Sequence, residues 1–181
     1  MPAITELTRI EPVHLARLEA QGIFTTGLLL ERTETPTRRQ TLADQTDATT
    51  ADVAEWRDEA LAAKWATVRR VRRVVTGALE IQRTDKVIGA SLEAAPVVHV
   101  DAATAAILKT VAFDDLCITS AIDVSTDPSP SEAFRLPEVE GVGVVFEMAE
   151  GEKCQRCWKI LPDVGTHSHA GVCYRCDEAL A

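Results

Sequence analysis

The chain of 181 residues carries a formal net charge of -9, and 46% of its residues are hydrophobic. This length suits one ordinary domain or two small ones, and the apolar content allows a packed core. The negative charge argues against affinity for nucleic acid over the whole surface, so any contact with a polyanion requires a local basic patch.

The sequence contains no stretch of about 18 or more apolar residues, so we expect neither a membrane span nor a membrane partner. Its start, MPAITELTRIEP, lacks the basic and apolar regions of a secretory signal. We therefore expect a cytoplasmic protein with reduced cysteines. In that setting, closely paired cysteines favour a bound metal over disulfides.

Residues 1–50 give the weakest pattern. A helix is predicted to begin at Glu11-Pro12, because proline suits the first turn of a helix. The stretch GLLLERTETPTRRQTLADQTDATT that follows is rich in threonine and contains Pro36. This composition indicates a linker or a poorly ordered loop.

Residues 51–87 predict one long helix, over about 52–84. Its apolar residues recur mostly at steps of three and four, the pattern of a single apolar stripe. They are Val53, Trp56, Ala60, Leu61, Trp65, Val68, Val75 and Leu79. Thr49 and Asp52 are spaced as a capping box at its start. We expect this helix to pack against the N-terminal segment, because long helices need a partner surface.

Residues 88–149 predict a small α+β module. PVVHV and DLCITSAIDV have the composition of strands, and DAATAAILKTVA between them predicts a short helix with Asp101 as its N-cap. A third strand, VGVVFEMAEGEKC, leads into residues 150–181. The lone Cys117 lies in an apolar pattern and is interpreted as a small buried side chain.

Residues 150–181 contain two C-x2-C pairs, which are typical of a structural zinc site. The pairs are Cys154 with Cys157 and Cys173 with Cys176, separated by fifteen residues. Two such turns can direct four sulfurs at one ion, so we predict one Zn²⁺ in a zinc ribbon. Four protein ligands leave no position for an activated water, and the zinc is therefore predicted to be structural. The alternatives are a site that uses His167 or His169 as one ligand, a redox-active dithiol, and two pairs that occur by chance.

Basic residues lie beside these cysteines and along the long helix. Lys153, Arg156, Lys159 and Arg175 are expected to offset the charge of the thiolates and to donate hydrogen bonds to them. Residues 64–86 contain seven lysines and arginines but only Glu80 and Asp85 as acids, whereas residues 88–143 are strongly acidic. The candidate phosphate contacts of the helix are Arg69, Arg70, Arg72 and Arg73. The alternative is a solvated helix face without a ligand.

Two segments, ALEIQRTDKVIGASLEA and the C-x2-C-W…C-x2-C end, occur in an order and separation that resemble a known family. Residues 50–181 are similar to the carboxy-terminal region of bacterial isoleucyl-tRNA synthetase. The resemblance implies that the long helix ends a helical anticodon-stem-binding region and that the zinc finger helps to dock tRNA. It also implies that Trp158 lies near the bound tRNA; alternatively, Trp158 forms the finger's own small core. Arg156 and Arg175 of the finger are further candidate phosphate contacts.

The HIGH and KMSKS signatures of that family, which serve its catalysis, are absent from the sequence. We therefore predict no catalytic residues and no ligase activity for this chain on its own. The expected function is that of a tRNA-binding portion of an isoleucyl-tRNA synthetase, with isoleucine-specific tRNA and a catalytic body as partners. The α+β fold class is compatible with two other functions. One is a zinc-ribbon adaptor that binds protein. The other is a DNA-glycosylase-like zinc-finger protein, which Ala3 disfavours because that family has glutamate there.

Overall fold

The computed structural model describes residues 2–180. The chain forms two compact units, one ending at Thr67 and the other beginning at Val68. Helices build the first unit, whereas the second combines helices with small sheets, which confirms the predicted α+β class. Within residues 2–180, no helix has the length and apolar character that crossing a bilayer requires.

The first unit consists of short helices packed on the start of a long one. A 3-10 turn over Ile4–Glu6 precedes α1 (Pro12–Ala20), α2 (Thr26–Arg32) and α3 (Pro36–Thr46), and α4 (Thr50–Thr84) follows. Helix α1 begins at Pro12, as predicted from the proline at that position.

The prediction of a linker or poorly ordered loop after residue 27 is wrong, because α2 and α3 occupy that stretch. Threonine and proline act there as helix-starting residues. The hydroxyl oxygen of Thr25 accepts from the backbone N–H of Leu28 at 3.3 Å, and that of Thr35 accepts from Arg38 at 3.2 Å. Pro36 occupies the first turn of α3, where its missing N–H costs no hydrogen bond.

A buried apolar cluster holds the first unit together. It comprises Ile4, Leu7, Ile10, Leu18, Ile23, Leu29, Leu42, Ala43, Val53, Trp56 and Ala60. The carboxylate of Glu59 on α4 also accepts from the backbone N–H groups of Thr8 and Arg9, at 2.7 and 3.0 Å. The N-terminal segment therefore packs against the start of α4, as the sequence predicted.

Helix α4 confirms the long helix predicted over about 52–84, and it runs for 35 residues. The predicted capping box is present: Thr49 Oγ1 accepts from the N–H of Asp52 at 3.1 Å, and Asp52 Oδ2 accepts from the N–H of Thr49 at 2.8 Å. A Cβ at Gly77 would lie 2.9 Å from Cε1 of Phe134. The missing side chain at Gly77 thus leaves room for this aromatic ring against the helix.

In the second unit, a three-stranded sheet has the order β2-β1-β3. It is formed by β1 (Val97–His99), β2 (Asp123–Ser125) and β3 (Gly143–Val145). Strand β1 pairs in parallel with β2 and antiparallel with β3. Helices α5 (Ala102–Leu108) and α6 (Phe113–Cys117) connect β1 to β2, and Asp101 caps α5 as predicted, accepting from the N–H of Thr104 at 2.9 Å.

Two strand predictions need correction. DLCITSAIDV is not one strand: its first residues end α6, and only its last ones enter β2. An apolar run of this length fits a buried helix turn as well as a strand, so its pattern is ambiguous. VGVVFEMAEGEKC divides between β3 and the separate strand β4 (Glu152–Lys153), which pairs with β5 (Ile160–Leu161). The last helix in the described part of the chain is α7 (Tyr174–Glu178). The finer domain boundaries at residues 87 and 149 stay predictions.

Two neighbouring leucines on α2 test whether the first unit is a packed domain. Leu29 is fully buried, whereas Leu28 is 37% exposed. We expect Leu29→Ala to lower the free energy of unfolding by about 2–5 kcal/mol, because it leaves a cavity, and the matched Leu28→Ala to lower it by less than about 1 kcal/mol. Urea denaturation measures both changes, and equal effects would mean that α2 does not pack as described.

Candidate metal centre and nucleic-acid surface

Two tight turns bring the cysteine pairs together. In the first, the N–H of Cys154 donates to the carbonyl of Lys159 at 2.8 Å, and the N–H of Trp158 donates to the carbonyl of Cys154 at 2.9 Å. The second pair lies at the start of α7, where the N–H of Cys176 donates to the carbonyl of Cys173 at 3.0 Å. Gly171, with φ of 75°, accepts from the N–H of Gln155 at 2.9 Å and so joins the two turns.

The sulfurs of Cys154, Cys157, Cys173 and Cys176 all lie within 4.8 Å of one another. The Sγ atoms of Cys157 and Cys173 are 3.7 Å apart. A tetrahedron with Zn–S bonds of about 2.3 Å has sulfurs separated by about 3.8 Å, so these residues fit one zinc ion without a change of fold. All four ligand positions belong to protein, which makes the zinc structural.

Ionisation of the thiols supports a cation at this position. Burial opposes ionisation of Cys154, but the backbone N–H groups of Cys157, Cys173 and Arg156 outweigh it and lower the pKa of Cys154 to about 6. Burial, with the neighbouring sulfurs, raises the pKa of Cys157 to about 12. Burial thus opposes the charge on Cys157, and a divalent cation bound here would supply the positive charge that four thiolate ligands require.

The two histidines considered as rival ligands bind carboxylates instead. Nε2 of His167 lies 3.1 Å from Oδ2 of Asp163, and Nδ1 of His169 lies 2.8 Å from Oδ1 of Asp177. The four-cysteine cluster is thus complete without a histidine. The two histidine–carboxylate pairs stabilise the loop between the two cysteine turns.

The expectation that Lys159 and Arg175 donate to the sulfurs is wrong. Nζ of Lys159 lies 2.5 Å from Asp114 and 2.6 Å from Asp115, and the Arg175 guanidinium lies 2.8 Å from Asp115. The hydrogen bond from Lys159, with the cation of Arg175 beside it, lowers the pKa of Asp115 despite partial burial. Burial opposes the charge on Lys159, yet the two carboxylates raise its pKa. These four residues form a charged cluster, which we call the α6 clamp.

Trp158 lies on the surface and not in the core of the finger. Its side chain is 61% exposed, and its φ of 67° is unusual for a residue other than glycine. Nζ of Lys153 lies 5.5 Å from the centre of its ring, within cation–π range. The small core of the finger is formed by Val172 with the partly buried Leu161 and Val164 around the cysteines. An exposed indole with an adjacent cation can stack on a nucleic-acid base.

The candidate arginines of α4 are all exposed, and Arg156 of the finger is exposed as well. The same stretch of α4 buries its valines at positions 68, 71, 74 and 75. Its exposed arginines, Arg69, Arg70 and Arg73, therefore lie on the solvent side of the helix. Arg72 differs, because its Nε donates to the carbonyl of Leu116 at 2.6 Å. The structure therefore brings Arg72 to α6, where Arg175 also binds.

No pattern in the sequence predicts the α6 clamp. Asp115 and Arg175 are 60 residues apart, and the stretch DLCITSAIDV, which begins at Asp115, has the composition of a strand. Cys117, by contrast, is buried as predicted, and burial raises its pKa to about 12. A thiol held neutral in this way acts as a small apolar side chain.

Zinc content distinguishes the two kinds of cysteine. We expect the purified protein to contain one zinc per chain, Cys173→Ser to lose most of it, and Cys117→Ser to retain it. A thiolate ligand is lost only in the first variant, and zinc binding contributes most of the folding free energy of such small segments, roughly 10–16 kcal/mol in zinc-finger peptides. Elemental analysis gives the ratio; equal zinc loss in both variants would exclude this ligand set.

Comparisons with known proteins place two resemblances on the chain. Residues 151–179 match the family described as "Zinc finger found in FPG and IleRS". Residues 8–74 match a family described as "Domain of unknown function (DUF4332)". The first match covers the four-cysteine cluster, and the second covers α1, α2, α3 and α4 as far as residue 74.

Curated relatives support the resemblance inferred from the sequence. The chain is 79% identical over 108 residues to an isoleucine–tRNA ligase of Ruegeria pomeroyi, which covers 59% of this chain and 11% of the relative. It is 57% identical over 113 residues to the isoleucine–tRNA ligase of Brucella abortus, covering 62% of this chain and 12% of the relative. It is 50% identical over 119 residues to the isoleucine–tRNA ligase of Rhodopseudomonas palustris, and this match covers 64% of this chain and 12% of the relative. The chain thus spans about an eighth or less of the length of these ligases, and its similarity to their carboxy-terminal region is confirmed.

Proposed function

We propose that this chain binds tRNA as the carboxy-terminal portion of an isoleucyl-tRNA synthetase does. The observation that carries the proposal is the 79% identity over 108 residues to an isoleucine–tRNA ligase, combined with a four-cysteine zinc site of the kind found in such ligases. Identity at this level preserves surface residues as well as the core, and surface residues determine which ligand is bound.

Two features of the surface support tRNA as the ligand. The exposed Trp158 offers a stacking face beside the cation of Lys153. Arg69, Arg70 and Arg73 offer exposed guanidinium groups along one helix, and Arg156 adds another in the finger. Cations that are not already paired with carboxylates can exchange their counterions for phosphates, which is the main source of affinity for nucleic acid.

Within this proposal the chain contributes binding and no chemistry. The tRNA is the isoleucine-specific one that the resemblance implies, and charging occurs on the catalytic body of the synthetase in the cytoplasm. A zinc-ribbon adaptor that binds protein is the alternative outcome of the tests below, because the net charge of -9 would suit a basic protein partner.

The phosphate contacts are tested by the salt dependence of tRNA binding. We expect the logarithm of the association constant to fall steeply with the logarithm of salt concentration, and Arg73→Ala to make this slope shallower by about 0.7–0.9, one phosphate contact. The matched control is Lys109→Ala, which removes an exposed cation after α5 and should leave the slope unchanged. Fluorescence anisotropy with labelled tRNA measures both. Absence of binding by the unmodified protein would favour the adaptor.

Stacking on Trp158 is tested separately from charge. We expect Trp158→Ala to weaken tRNA binding by about 1–3 kcal/mol, because it removes an aromatic face, and Trp158→Tyr to retain most of the affinity. Zinc content serves as the control and should be the same in both variants. Unchanged affinity in Trp158→Ala would mean that the indole does not contact tRNA.

A further inference from the structure

The short helix α6 is held by charged groups from the zinc finger. Asp115 Oδ1 lies 2.6 Å from Nζ of Lys159, and its Oδ2 lies 2.8 Å from the guanidinium of Arg175. Asp114 contacts the same ammonium group at 2.5 Å. Lys159 follows the first cysteine pair and Arg175 lies within the second, so one carboxylate is bound to both halves of the finger.

Burial makes the lysine contacts stronger than ordinary surface ion pairs. The side chain of Lys159 is only 11% exposed, and those of Asp114 and Asp115 are 35% and 39% exposed. Exposed pairs contribute little because water screens them, whereas removal of one partner from a shielded pair leaves a charge without compensation. Arg175 is 65% exposed and adds less. The pairs with Lys159 are therefore the main electrostatic attachment of the finger to α6.

Further hydrogen bonds attach to α6 and to the turn that follows it. Nε of Arg72 on α4 donates to the carbonyl of Leu116 at 2.6 Å. Ser120 Oγ accepts from the backbone N–H of Ile160 in the finger at 2.6 Å and donates to the carbonyl of Leu92 at 2.5 Å. Helix α6 and the residues after it thus contact both the basic part of α4 and the finger.

We propose that Asp115, assisted by Asp114, is a positioning residue that fixes the zinc finger relative to the basic part of α4, so that both reach one tRNA. This inference rests on the proposed function. It divides the six arginines named from the sequence into two groups. Arg72 and Arg175 hold α6, whereas Arg69, Arg70, Arg73 and Arg156 remain for phosphates.

Long-range electrostatics alone predicts the opposite change in tRNA affinity when Asp115 is neutralised, so the two explanations can be distinguished. A carboxylate near a polyanion repels it, so its neutralisation should strengthen tRNA binding slightly. A positioning carboxylate acts in the other direction, because its loss releases the finger and adds the cost of ordering it on binding. The sign of the change in affinity for Asp115→Asn therefore separates the two.

We expect Asp115→Asn to bind tRNA about five- to tenfold more weakly, with one zinc per chain retained. Asp115→Glu keeps the charge and should recover part of the loss. The matched control is Asp85→Asn, which neutralises an exposed acid at the end of α4 and should leave binding equal or slightly stronger. Unchanged or tighter binding in Asp115→Asn would overturn the proposal. If that variant loses zinc or fails to fold, Asp114→Asn is the milder substitution and should weaken binding in the same direction.

A second measurement decides the proposal without tRNA. Hydrogen exchange at the backbone amides of residues 158–161 and 174–178 should be faster in Asp115→Asn than in the unmodified protein at equal zinc content, because the finger is no longer held. Equal exchange rates would overturn the positioning role even if tRNA affinity fell. Faster exchange with unchanged tRNA affinity would also overturn it. Faster exchange in a protein that binds no tRNA at all would reject the proposed function and leave Asp115 as an attachment of the finger only.

Discussion

Four sulfurs around one divalent cation are the interaction on which the carboxy-terminal structure depends. The finger has few apolar side chains of its own, and Val172, Leu161 and Val164 alone could not fold a segment of this size. Without a cation, burial and the neighbouring sulfurs raise the pKa of Cys157 to about 12, which opposes a thiolate there. With zinc, the two turns are fixed. The positive φ of Trp158 and the reach of Lys159 to α6 then follow from the geometry of the first turn.

The net charge of this acidic chain does not show which cations can bind a ligand. That depends on which of them are already paired with groups of the protein. Lys159 and Arg175 are bound to carboxylates of α6, and Arg72 is bound to a carbonyl there. These three cations bind groups of the same chain and stabilise its fold. The exposed arginines on the same helix as Arg72 have solvent around them and are the groups that can meet phosphates. A net charge of -9 is therefore compatible with a local surface for tRNA.

Local patterns in the sequence were sufficient for the metal site and for α4, but contacts between distant residues were not visible. Two C-x2-C pairs and a period of three and four residues are short-range signals, and both predictions were confirmed. Thr35 and Pro36 misled because the same residue types that break a helix also begin one. Asp115 gave no signal because its partners Lys159 and Arg175 lie far along the chain, and because α6 is too short for a helical period to show.

X-ray absorption at the zinc edge of the purified protein tests the central claim most directly, since it reports the atoms bound to the metal. Four sulfur neighbours at about 2.3 Å are expected, with no nitrogen or oxygen in the coordination sphere. A histidine nitrogen or a water oxygen among the ligands would contradict the structural four-thiolate site. A preparation with disulfides in place of zinc would contradict it as well, and with it the positions assigned to Trp158 and Lys159.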